Sequence, residues 1–186
     1  MENIGRFGKL KIIGLDQGFL KESHYYKKYR EVKMSEHTEW LETFKASYEK
    51  YQGKGGFQVL FPEYRPDMTR ALAHELGLEF YDYRLEKMIS LGWEAGTISL
   101  ESLTQTLQEE STNVGLVVHN VEALLAVKPE EERKQWLHDF LTSDWANPII
   151  LPLAIYQAET DLDNPRVCDL KISEFPKESF LMRLAM

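Results

Sequence analysis

The sequence predicts an α/β fold, a mainly parallel sheet with helices on both faces, and three observations carry that prediction. From residue 57 onward, short apolar runs alternate with segments of helical period. The runs are continuously apolar, as strands covered on both faces are. Glycine and proline mark the junctions, at residues 53–56, Gly77 and Pro129. The 186 residues, 43% of them hydrophobic, suffice for one domain with a sizeable core. We divide the chain into an N-terminal basic, aromatic segment and helix, residues 1–52, and an α/β body, residues 53–186.

In chain order, "KLKIIGLDQG" reads as a strand entering a turn, and "HYYKKYREVK" has no clean period. Ser35 is placed to cap a helix, Glu36 and Glu39 favour the positive end of its dipole, and Trp40, Leu41, Phe44, Tyr48 and Tyr51 recur on one face. Phe57–Phe61 is an apolar strand. Met68, Leu72 and Leu76 mark one side of a helix that Gly77 ends, and "LEFYDY" is the next strand, which makes a βαβ unit. Ser99 caps a helix with Leu100, Leu103 and Leu107 on one face. "VGLVV", 114–118, is a buried strand, and Pro129 opens a helix that buries Trp136, Leu137, Phe140 and Leu141. "PIILPLAIY" and "RVCDLKI" are further strands, and a last helix starts near Pro176. The strands near 57–61, 114–118 and 148–155 are expected to lie adjacent and parallel.

The segment from Phe57 to Arg84 has the layout of a phosphate-binding unit without its chemistry. Such a loop follows its strand with G-x-x-x-x-G-K-[ST], because glycines let backbone N–H groups wrap the phosphates, the lysine reaches their oxygens and the hydroxyl ligates magnesium. Here the eight residues are "PEYRPDMT". Pro62 and Asp67 stand at the glycine positions, Met68 replaces the lysine and Thr69 keeps the hydroxyl. Two prolines remove amide donors, and Glu63 and Asp67 put negative charge where a phosphate would lie. The metal-directing acid expected after a later strand is also missing: "GLVV" is followed by His119 and Asn120, with Glu122 two positions on. Neither residue suits hard, oxygen-preferring magnesium.

The spacing from "FQVLFPEYRPDMTRALAHELGLEFYDY" through "VGLVVHNVEALLAV" to "NPIILPLAIY" resembles a small P-loop ATPase domain of the additional-strand class. The run "GLVVHNVEALL" is similar to the Walker-B region of small accessory P-loop proteins in bacterial phage-defence gene clusters of the BREX type. The likeness covers roughly residues 57–173. It implies a P-loop NTPase-like fold without a functional Walker A motif, and assembly with larger partners. Catalysis does not carry over, because only Thr69 matches a motif position.

Arg65, Thr69 and Glu122 are the candidate nucleotide-contacting residues, and each has a structural alternative. Thr69 suits a first helical turn in any case. Glu122 is expected to cap a helix or face solvent. Arg65 and Arg70, beside Glu63 and Asp67, read as an exposed ion-pair network worth under about 1 kcal/mol per pair. His119 is either a general base or a satisfied residue at a strand end. One Cys and five scattered His lack zinc spacing, neither a nucleophile elbow nor a dinucleotide fingerprint occurs, and we expect no catalytic residues, metal or cofactor.

The formal charge of −8 opposes delocalised binding to nucleic acid or to an anionic membrane. It is unevenly spread: residues 1–34 carry about +4 and the remainder about −12. Lys27, Lys28 and Arg30 are therefore the candidate protein-contacting residues. Stacking of bases on Tyr25, Tyr26 and Tyr29 is the alternative use of that segment. No secretory pattern or apolar run of about 18 residues occurs, and a cytoplasmic protein without a membrane partner is expected. The functional expectation is a non-catalytic binding or scaffold subunit. A divergent nucleotide-dependent enzyme and a nucleic-acid accessory protein are the alternatives.

Overall fold

Five strands form one all-parallel sheet in the computed structural model, which describes residues 39–51 and 55–171. They are β1, Gly56–Leu60; β2, Glu79–Asp82; β3, Leu116–His119; β4, Ile149–Leu153; and β5, Val167–Asp169. Their spatial order is β2-β3-β4-β1-β5. The three strands expected to be neighbours are neighbours, with Leu116 and Val117 opposite Ile149 and Ile150, and Gly56 to Leu60 opposite Ile149 to Leu153. The βαβ unit is present, with Pro66–Leu76 as its helix and with β3 and β4 standing between its two strands. Sequence proximity gives the unit but not which strands later insert into it.

The helices are α1, Glu39–Lys50; α2, Pro66–Leu76; α3, Leu100–Glu110; α4, Glu122–Leu125; and α5, Glu130–Thr142. They cover both faces. On one, Leu41 and Phe44 of α1 and Met68, Leu72 and Ala73 of α2 pack on Phe57, Val59, Val117 and Ile150. On the other, Leu103 and Leu107 of α3 and Trp136, Leu137, Phe140 and Leu141 of α5 pack on Leu116, Val118, Ile149, Leu151 and Leu153. Right-handed crossovers require this division. The step from β1 out to β2 runs one way along the sheet and carries α2, while the steps back through β3 to β4 run the other way and carry α3 and α5.

Local chemistry sets the helix ends. Ser99 Oγ accepts from Ser102 N at 3.0 Å, which caps α3. Gly77 takes φ 66° after α2, and its N–H bonds the carbonyls of Ala73 and His74. Pro129 lies one residue outside α5 rather than in its first turn. Gln58, buried in β1, donates from Nε2 to Leu137 O at 2.8 Å and fixes α5 over that strand. Between β2 and α3 the chain makes a π-helical turn, Arg84–Met88, and a 3₁₀ stretch, Ile89–Thr97, kinked at Gly92 with φ 54° and ψ −120°. The strand near residues 9–18, the Ser35 cap, the Trp40 side chain, the contact residues Lys27, Lys28 and Arg30, and the helix from Pro176 lie outside the described residues.

Candidate functional site

In an open parallel sheet the ligand crevice lies beyond the carboxyl ends of the strands, where neighbouring connections leave on opposite faces. Here the connection leaving β1 carries α2 on one face and the connection leaving β3 carries α5 on the other, with β4 between the two strands. The loop after β1, residues 61–65, meets the ends of β3 and β4 there. Pro152 helps to open the gap. Continuing the β3–β4 register would set Pro152 opposite His119, but pairing ends at Val117 and Ile150, and a proline inside a strand cannot donate to the ladder.

The hollow so formed is lined by Phe61, Tyr64, Arg65, Thr69, His119 and Glu122, with residues 152–154 of β4 and its exit. It therefore brings together the three nucleotide-contact candidates. Its volume of about 10 Å³ admits no more than one water molecule.

Each polar group around it is held from within the chain. Arg65 is only 5% exposed, which corrects the expectation of a surface ion pair. Its Nε and Nη2 donate to the two carboxylate oxygens of Asp67 at 2.9 and 2.8 Å, and Nη1 donates to Glu63 at 3.3 Å. Burial acts to raise the Asp67 pKa, but the Arg65 guanidinium holds this carboxyl below its ordinary value. Thr69 is buried at the start of α2, and its hydroxyl donates to Arg65 O at 3.1 Å. That hydroxyl proton serves the helix it sits in.

Glu122 also departs from expectation, being 9% exposed instead of facing solvent. One carboxylate oxygen accepts from Ala154 N at 2.8 Å and Ile155 N at 2.7 Å, and the Tyr156 N–H also bonds the carboxylate. Glu122 thus latches the start of α4 to the exit of β4. Burial raises its pKa, and the three backbone donors offset part of that rise.

A second cluster adjoins the hollow. Asn120 Nδ2 donates to both oxygens of Asp82 at 3.0 Å each, and the Tyr64 hydroxyl donates to Asn120 Oδ1 at 2.9 Å. The same hydroxyl lies 2.9 Å from His119 Nε2. Since its single proton goes to Asn120, His119 Nε2 carries the proton in this second bond, which assigns the ring's tautomer. Burial lowers the His119 pKa, Asp82 opposes that and Arg70 adds to it, so the ring is neutral at pH 7. Tyr64 stacks on it at 5.3 Å between centroids, and Phe80 lies 5.5 Å away on β2. Arg70, expected in the ion-pair network, instead lies 4.0 Å over the Phe80 ring.

Asn120 takes φ 62°, a left-handed conformation that asparagine tolerates better than most residues. The bonds to Asp82 and Tyr64 hold it there. Sequence reasoning missed Tyr64 and Asp82. Asp82 ends an apolar strand next to the one carrying His119, a position that invites attention in a parallel sheet, whereas nothing in the sequence singles out Tyr64.

Among the described residues no three His, Cys, Asp or Glu side chains are grouped to hold a metal ion, and no helix is long and apolar enough to cross a membrane. Compared with known proteins, the chain matches no family model, no curated protein and no solved structure.

Proposed function

We propose that this chain is a non-catalytic binding or scaffold subunit built on a degenerate P-loop-like domain, serving a bacterial multiprotein assembly of the phage-defence kind. One observation carries the reading. At the switch point of the sheet, Arg65, Thr69, His119, Asn120 and Glu122 are engaged with partners inside the chain, around a hollow of about 10 Å³. A phosphate needs several free donors and far more room. The placement of β4 between β1 and β3 supports the P-loop part of the reading, since an extra strand there is what the additional-strand class implies.

A divergent nucleotide-dependent enzyme is the second reading, favoured by the convergence of Arg65, Thr69 and Glu122 on one hollow. It requires Glu122 to leave the β4 exit and Arg65 to leave Asp67. Thermal unfolding with ATP or GTP, with and without magnesium, separates the two. A ligand at 100 times its dissociation constant adds about 2.7 kcal/mol. We expect no shift at millimolar nucleotide, and magnesium-dependent stabilisation by either nucleotide overturns the binding-subunit reading.

A further inference from the structure

The segment between β2 and α3 exposes more apolar surface than folding alone explains. Within nine residues Leu85, Ile89, Leu91 and Trp93 are all exposed, and Trp93, at 102%, leaves its whole side chain in water. Scattered apolar residues on a surface are ordinary, whereas a contiguous group marks an interaction site. Val127 lies beside the end of the same segment, at Gly96. It is 57% exposed, a Cβ built on Gly96 would lie 3.8 Å from its Cγ2, and Lys128 Nζ donates to Gly96 O at 2.9 Å.

The segment is anchored. Ala95 is buried, Met88 packs against the core, and Lys87 pairs with Glu110 of α3 at 2.9 Å. At Gly92 the φ of 54° needs glycine, and the kink sets the backbone on which Leu91 and Trp93 stand. A fixed platform of this kind binds without the cost of ordering a loop.

Charge identifies the occupant. Glu86, Glu94 and Glu101 are exposed along this segment and the start of α3, and Glu131 and Glu132 follow Val127 at the start of α5. None of the five forms an ion pair among the described residues. The bases beside them are Arg84, Lys128 and Lys87, the last already paired with Glu110, on a chain whose residues after 34 sum to about −12. A second copy docked through the same patch would bring two surfaces of the same negative charge together, because a two-fold interface pairs a patch with itself. A cationic partner meets no such repulsion.

We propose that Leu85, Ile89, Leu91, Trp93 and Val127 form the docking surface for a partner protein whose contact segment is basic and carries an apolar or aromatic anchor. This rests on the binding-subunit reading and names its surface. The exposed tryptophan is the expected energetic centre, since such residues dominate interfaces.

The test uses the full chain and a labelled synthetic helical peptide with Leu and Phe at helical spacing and Lys elsewhere, with a matched peptide carrying Glu in place of Lys. Fluorescence anisotropy should show micromolar binding of the lysine peptide. Binding should weaken by about tenfold or more in the double variant Ile89→Ser, Trp93→Ser, and in 1 M salt. Circular dichroism and an unchanged melting temperature verify that the variant folds. Failure of the lysine peptide to bind, equal binding of the glutamate peptide, or full binding by the variant overturns the proposal. A wild-type dimer that the variant converts to monomer also overturns it, by assigning the surface to a second copy. Nucleotide stabilisation with peptide binding intact would instead sink the binding-subunit reading and leave the docking surface standing.

Discussion

Glu122 and His119 lie on the same hollow, and burial moves their pKa values in opposite directions. Burial raises the Glu122 pKa from its ordinary 4.5, so the folded state holds that proton more tightly than the unfolded chain does. Its contribution to stability is full below about pH 4.5 and is lost as pH rises through the folded value. Burial lowers the His119 pKa from 6.5, so the unfolded chain binds that proton more tightly. Its contribution is present above about pH 6.5 and is lost as pH falls through the folded value. Urea midpoints across pH 4 to 8 should therefore show the wild type losing stability relative to Glu122→Gln as pH rises, and relative to His119→Gln as pH falls. A wild-type difference from Glu122→Gln that is flat or grows with pH would mean that the carboxylate is stabilised by its three backbone donors more than burial penalises it.

Among the elements, the sheet depends on close approach at the N-terminal ends of β3 and β4. A Cβ on Gly115 would lie 2.7 Å from both Pro148 O and Pro148 Cγ and 2.8 Å from Leu78 Cδ2. The backbone oxygen cannot swing aside. Gly115→Ala should therefore destabilise by about 1–3 kcal/mol, the usual range for an overpacked interior. Denaturant unfolding measures it, and a loss within about 0.5 kcal/mol would show that the ladder absorbs the methyl group by sliding. Most elements were legible because their signals are local: the Ser99 cap, the left-handed Gly77, and apolar runs that match β1, β3 and β4 to within two residues. The stretch from Arg84 to Thr97 was not legible. Ile89, Leu91, Trp93 and Ala95 alternate with period 2 as in a strand, yet the chain is 3₁₀-helical there and only Ala95 of the four is buried, because no core enforces that spacing.

For the whole molecule, the division between about +4 on residues 1–34 and about −12 on the remainder is the dominant electrostatic feature. Such polarity steers association, and its reach shortens as the Debye length falls from about 10 Å at 0.1 M salt to about 3 Å at 1 M. Our proposal that Lys27, Lys28 and Arg30 enter a protein contact therefore predicts weaker assembly when all three become Glu, with an unchanged melting temperature verifying that the variant folds. Full partner binding by that triple variant would refute it. So would steeply salt-dependent binding of single-stranded nucleic acid by the wild type that the variant loses.

The sequence by itself determined the α/β fold class, the adjacency of three strands and the absence of phosphate-holding residues after the first strand. The fold class and the missing phosphate chemistry are written in residues close together along the chain: apolar runs of strand length, and a proline, an acid and a methionine where two glycines and a lysine would stand. Tertiary structure alone decided the fates of Arg65 and Glu122, the bonding of Tyr64 and Asp82 to Asn120, and the exposure of Trp93. Whether a charged side chain is buried depends on what the opposite strand or the next loop places against it. For Glu122 that is the backbone of residues 154–156, more than 30 positions away, and no local pattern in the sequence encodes such a partner.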